Sequence, residues 1–162
     1  MNNDVGRGFI TFCRQKLMQE YLPRIQRCLD ELSEDDVWWR AHGTDNSIGN
    51  LMLHLSGNVR QWIVSGIGGA HDSRERQKEF AERNRIPKTE LLANLQSTLQ
   101  EADKVLERFD TSKLLEKRHI QKYDVVCFEA ILHVVEHFSG HVGQIIYITK
   151  LCKGVDMKFY DL

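Results

Sequence analysis

The sequence predicts an all-α fold, a four-helix bundle, on three observations. Apolar residues recur at three- and four-residue spacing almost throughout, only two prolines interrupt the 162 residues, and no alternating apolar–polar run marks a strand. With 41% hydrophobic and 28% charged residues the chain resembles an ordinary globular protein. Its length suits one hydrophobic core better than two, so residues 1–162 read as a single domain.

The elements follow in order. A first helix is expected from about residue 8 to 32, carrying Phe9, Ile10, Phe12, Cys13, Leu17, Met18, Tyr21, Ile25, Cys28, Leu29 and Leu32, with Pro23 placed to kink or restart it. Ser33-Glu34-Asp35-Asp36 reads as a capping box that opens a short turn through Trp38 and Trp39. A second helix starts after the Asp45-Asn46-Ser47 cap and runs to about Ser65, where Gly66, Gly68 and Gly69 stop it. The charged stretch His71 to Arg85 reads as a solvated, partly helical crossover. Pro87 opens a third helix, from about Lys88 to Phe109, striped with Leu91, Leu92, Leu95, Leu99, Ala102, Val105 and Leu106. Asp110 to Asp124 is polar and carries no assignable period. A last helix runs from about Val125 to Cys152 and ends at Gly154.

Charge and composition exclude several roles. A net charge of -1 supplies no field to attract a nucleic acid or an anionic membrane surface. The N-terminal residues lack a basic-then-apolar leader pattern, and no apolar run approaches the roughly 20 residues needed to cross a bilayer, so a cytoplasmic protein is expected. Cys13, Cys28, Cys127 and Cys152 form no C-x-x-C pair and are expected as free thiols. No phosphate-binding glycine loop or G-x-S-x-G occurs.

The anomaly is histidine. His54, His133, His137 and His141 lie inside helices that otherwise read as core, whereas His42, His71 and His119 read as solvated. At about 100° per residue, His133, His137 and His141 drift only about 40° per four-residue step and share a face. His133 and His141 are about 12 Å apart along the axis, too far for one ion, so one neighbouring pair can chelate.

An internal match selects the pair. From His54 the chain reads H-L-S-G-N-V-R-Q-W-I, and from His137 it reads H-F-S-G-H-V-G-Q-I-I. A local pseudo-two-fold would bring His54 and His137 together, with His141 corresponding to Asn58 and His133 to Asn50. Three neutral imidazoles from His54, His137 and His141 suit a divalent ion such as Zn²⁺ or Ni²⁺ and leave a coordination position open. Asn50, Asn58, Gln61, His133 and Gln144 are candidate pocket residues. Interior glycines cost roughly 1 kcal/mol relative to alanine, and Gly57, Gly140 and Gly143 are expected to let the second and fourth helices approach closely. His133-Val134-Val135-Glu136-His137 fits H-x-x-E-H, but no glutamate follows it, which excludes that protease arrangement.

Together, Trp38-Trp39-Arg40, N-S-I-G-N-L-M-L-H-L-S-G-N at 46–58 and H-F-S-G-H-V-G-Q-I at 137–145 resemble the DinB/YfiT-like superfamily of metal-dependent four-helix bundles, a branch of it without assigned function. The resemblance implies an up-down-down-up bundle with a long crossover between helices 2 and 3, and frequent dimers. It also implies a three-histidine site for zinc or nickel at His54, His137 and His141.

Characterised members of that superfamily include transferases that use low-molecular-weight thiols, and others proposed as hydrolases. The expected function is therefore a metal-dependent enzyme acting on a small molecule. Either a metal-activated thiolate attacks an electrophile, or a metal-bound hydroxide hydrolyses one. No catalytic base is identified, although Glu129, Glu136 and Tyr147 share the histidine helix. The alternative is a non-catalytic metal-binding module of a stress response.

Overall fold

The computed structural model describes residues 3–159, so the extreme ends of the 1–162 span fall outside the described residues. The first helical rod begins earlier than periodicity suggests. It comprises α1 (Asn3–Gln15), a π-helical turn over Lys16–Tyr21, and α2 (Leu22–Glu31). Gly6 permits that early start, because a side chain there would press on Thr111 and Leu114 at 3.0 Å. Pro23 occupies the first turn of α2, where it needs no N–H, and Leu22 N–H reaches Leu17 O across the wider turn. The rod therefore passes Pro23 without breaking.

Ser33 and Asp36 form the expected capping box at α3 (Glu34–Val37), and Ser47 and Asn50 form another at α4 (Ile48–Val59). A π-helical segment, Arg60–Ile67, extends α4 to Gly68. The crossover contains α5 (Arg76–Ala81), and α6 (Lys88–Glu107) follows Pro87. After a 3₁₀ turn at Thr111–Lys113 the chain forms an antiparallel hairpin, β1 (Lys117–Ile120) and β2 (Tyr123–Val126), with Lys117 opposite Val126 and Ile120 opposite Tyr123. The long α7 (Cys127–Lys153) ends on Gly154, whose φ of 64° is the left-handed cap that glycine favours.

The fold is thus mostly helical, and the hairpin corrects the expectation that no strand occurs. Its local sequence hides it: the turn uses Gln121 at φ 57° instead of glycine or asparagine. Tertiary packing holds it, because Ile120 is 3% exposed and lies over Gly66, where an added Cβ would come within 2.5 Å of Ile120 Cδ1.

Ile10, Leu17 and Ile25 of the first rod are buried with Leu51, Leu55 and Ile63 of the second, Leu95 and Leu99 of α6, and Val134, Phe138 and Ile145 of α7. Each such side chain contributes roughly 1.5–3 kcal/mol of burial free energy, set against the entropy of ordering the chain. Tyr21 and Phe138 stack with centroids 5.9 Å apart, joining the first rod to α7. For the site, the decisive contacts are those of α4, which packs on α5, α6 and α7. Among the described residues no helix is long and apolar enough to cross a membrane.

Candidate metal centre

On α7, four-residue steps advance about 6 Å, so His133, His137 and His141 form a ladder along one side. His54 projects from α4 onto that ladder between His137 and His141. The His54 ring centroid lies 4.9 Å from that of His137 and 5.1 Å from that of His141, and the latter two are 4.5 Å apart. One nitrogen from each of the three lies within 4.8 Å of the others. His133 falls outside this group and packs on Trp62 at 4.4 Å, with its ring 5.5 Å from that of His137.

Partners orient the rings. His54 Nδ1 lies 2.9 Å from Glu79 Oε2, which only accepts, and 3.1 Å from Arg74 Nη2, which only donates; when it pairs with the nearer carboxylate, Nδ1 carries the proton and Nε2 presents its lone pair. Arg74 holds that carboxylate through Nε to Oε1 at 2.7 Å and Nη2 to Oε2 at 2.9 Å, while Nη1 donates to Gln61 Oε1. His141 Nδ1 donates to Gln144 Oε1 at 2.8 Å, which likewise frees its Nε2. His54 Nε2 and His137 Nε2 face each other at 2.9 Å, a separation at which they share one proton or one cation rather than oppose two lone pairs.

Electrostatics favour the ligating, neutral forms. Burial, with smaller contributions from His141, His54, His133 and Arg74, pushes the His137 pKa down to about 3. Burial also lowers that of His141, partly opposed by the hydrogen bond it donates to Gln144, and lowers that of His133 against Glu136. Glu79 is pushed up by burial, but hydrogen bonds from Arg74 and His54 together outweigh this and hold it below the usual carboxylate range. Three imidazoles, two with the far nitrogen tied down, are the donor chemistry that a borderline divalent ion takes. The residues present therefore fit the metal that the family resemblance implies.

The other candidate pocket residues separate. Asn58 is 4% exposed, lines the cleft beside His54 and His137, and has no partner for its Oδ1 among the described residues. Gln61 bridges Asp72, Arg74 and Gln121, tying the crossover and the hairpin to the second rod. Gln144 supports His141. Asn50 is fully buried away from the cleft, accepting from Ser47 and Arg40 and donating to the Glu79 and Glu82 carbonyls. Glu129 accepts from Val126 N–H at the start of α7. Glu136 and Tyr147 are exposed. As expected, His42, His71 and His119 are exposed and the cysteines are free.

Two expectations are corrected. Gly140 and Gly143 have nothing within 4 Å of an added Cβ, and at Gly57 such a carbon would fall 2.0 Å from Glu79 Oε1, so none of the three serves contact between α4 and α7. The crossover is also not simply solvated: Arg74 and Glu79 have side chains only 5% and 11% exposed and form the support of His54. Sequence reasoning missed both, since they lie in a run of charges. The signal available was Gly57, an interior helix glycine that needed a reason.

The class of protein follows from fold and site: a mostly helical domain with a half-buried histidine cluster. The fold is similar to that of a DinB-like protein from Bacillus cereus, with a TM-score of 0.67 and 15% identity over 86% of this chain and 89% of that one. The family model described as Protein of unknown function (DUF1572) matches residues 4–161, and the chain belongs to that family. No curated protein matches the sequence.

Proposed function

We propose that His54, His137 and His141 hold one divalent ion, zinc or nickel, and that the protein is a metal-dependent enzyme acting on a small molecule. The observation that carries this is the convergence of three imidazoles from two helices, that of His54 buried and those of His137 and His141 half-buried, with His54 and His141 oriented by Glu79 and Gln144. An ion so held supplies Lewis acidity that makes a thiol or a water nucleophilic near neutral pH. The chain's own residues fix the ligand geometry and shelter it under the crossover, and a cleft of about 720 Å³ opens beside His54 and His137. Thiol transfer with a low-molecular-weight thiol cosubstrate is the preferred reaction, and hydrolysis the other. A homodimer of single 1–162 domains in the cytoplasm completes the reading. The exposed apolar Val5, Phe12, Phe128 and Leu132 on α1 and α7 support the dimer.

A non-catalytic metal-binding module, as in a stress response, is favoured instead by one observation. Glu79, which touches His54, and Glu129, the carboxylate in the cleft lining, are both engaged in hydrogen bonds, so neither is free to act as a base. Elemental analysis of the purified chain should give one divalent ion, lost in His54→Ala, His137→Ala and His141→Ala and kept in His133→Ala. Loss in His133→Ala with retention in His141→Ala refutes the ligand set. Electrophile conjugation across a panel of thiols, with and without metal, separates enzyme from module.

A further inference from the structure

The cleft beside the histidines has a chemical character that the ligand set does not explain. Its rim carries Arg76 and Lys122, both exposed, and neither has a carboxylate partner among the described residues. Arg76 lies 4.9 Å over the Phe80 ring and Lys122 lies 5.6 Å over Tyr123, so aromatic faces hold both cations at the mouth. The one carboxylate in the lining, Glu129, is occupied by the Val126 N–H. The cleft is therefore net positive although the chain as a whole carries -1.

Its wall is apolar and aromatic. Trp62 and Tyr123 stack with centroids 6.3 Å apart, and Tyr123, on the hairpin, is 47% exposed. Two buried polar atoms of residues in the same wall have no hydrogen-bond partner among the described residues: the Asn58 Oδ1 acceptor and the Trp62 Nε1 donor. Buried polar groups are ordinarily satisfied, so a wall with one spare acceptor and one spare donor fits a polar occupant.

We propose that this cleft binds a small organic anion, a planar or apolar body bearing a carboxylate or phosphate group, with the anionic group between Arg76 and Lys122 and the body against Tyr123 and Trp62. This deepens the proposed function and rests on it only in placing the reacting end of the ligand towards the histidines. Carboxylate and phosphate share the chemistry that two cations recognise, and the probes below separate them.

Isothermal titration of the full chain, metal-free and zinc-loaded, with benzoate, phenyl phosphate, inorganic phosphate and neutral benzyl alcohol tests the proposal. Benzoate or phenyl phosphate should bind at least ten-fold more tightly than benzyl alcohol, and phenyl phosphate more tightly than inorganic phosphate. Arg76→Gln with Lys122→Gln should weaken anion binding at least ten-fold while helicity and zinc content stay unchanged, and Tyr123→Ala should weaken only the aromatic probes. The relative strength of benzoate and phenyl phosphate identifies the preferred anionic group. Equal binding of benzyl alcohol, undiminished binding by the double variant, or no binding of any probe overturns the proposal. A protein that takes up no zinc yet keeps charge-dependent anion binding sinks the metal reading alone. One that holds zinc without discriminating the probes sinks this one alone.

Discussion

Replacing Glu79 with leucine should damage folding and metal binding by separable amounts. The carboxylate accepts from Arg74 Nε, Arg74 Nη2 and His54 Nδ1 at 2.7–2.9 Å, and the Arg74 side chain is only 5% exposed. Glu79→Leu leaves that guanidinium buried without a carboxylate, facing only the Gln61 carbonyl and the neutral His54 Nδ1, a change that costs about 3–5 kcal/mol. With a urea m-value of about 2 kcal/mol/M, a loss of 3 kcal/mol moves the unfolding midpoint down by roughly 1.5 M. The His54 ring also loses the acceptor that fixes its tautomer, and such losses weaken metal binding about 10–100-fold. Adding Arg74→Met should recover much of the stability, because neither charge is then left alone, and none of the metal affinity. Urea titration of the metal-free protein and competition against a chromophoric chelator supply the two readings. A midpoint shift below about 0.3 M would refute the argument, since it would mean that the crossover stands open in solution and Arg74 is hydrated.

Gly57→Ala should reproduce both defects, because its Cβ would fall on Glu79 Oε1, and should add little to Glu79→Leu; full additivity in the double variant would count against a shared cause. The metal-free protein should lose stability as pH falls from about 6.5 towards 3. The folded His137 pKa of about 3 lies below the unfolded value, so the unfolded chain binds the extra proton, with a slope approaching 1.4 kcal/mol per pH unit. His133 and His141 are shifted the same way, and His137→Asn should flatten the profile; a flat wild-type profile refutes the assignment. Burial raises all four thiols, that of Cys13 to about 11, but only Cys152 is not buried, so a disulfide reagent at pH 8 should modify only Cys152 quickly in the native protein and all four thiols in urea; rapid native reaction of three or more refutes the buried placement.

Helices are written locally. The stripe Leu91, Leu95, Leu99, Ala102 and Leu106, the Ser33 and Ser47 caps and the Gly154 stop each depend on neighbours within a turn or two, so they could be read from the chain before any packing was known. The histidine cluster was legible for a related reason: the match between residues 54–63 and 137–146 encodes a similarity of two helices, and His54, His137 and His141 do converge. What tertiary structure alone decided was the partner of each group. Glu79 is one more charge in a charged run until α5 folds onto α4 over Gly57, and burial then turns it from a solvated carboxylate into the group that sets the His54 tautomer. The hairpin exists because Ile120 finds a site over Gly66, a contact that no pattern within residues 117–126 announces. The difference is one of range: a helical stripe is a property of a few consecutive residues, whereas the desolvation that pairs Arg74 with Glu79 appears only once distant segments have closed around them.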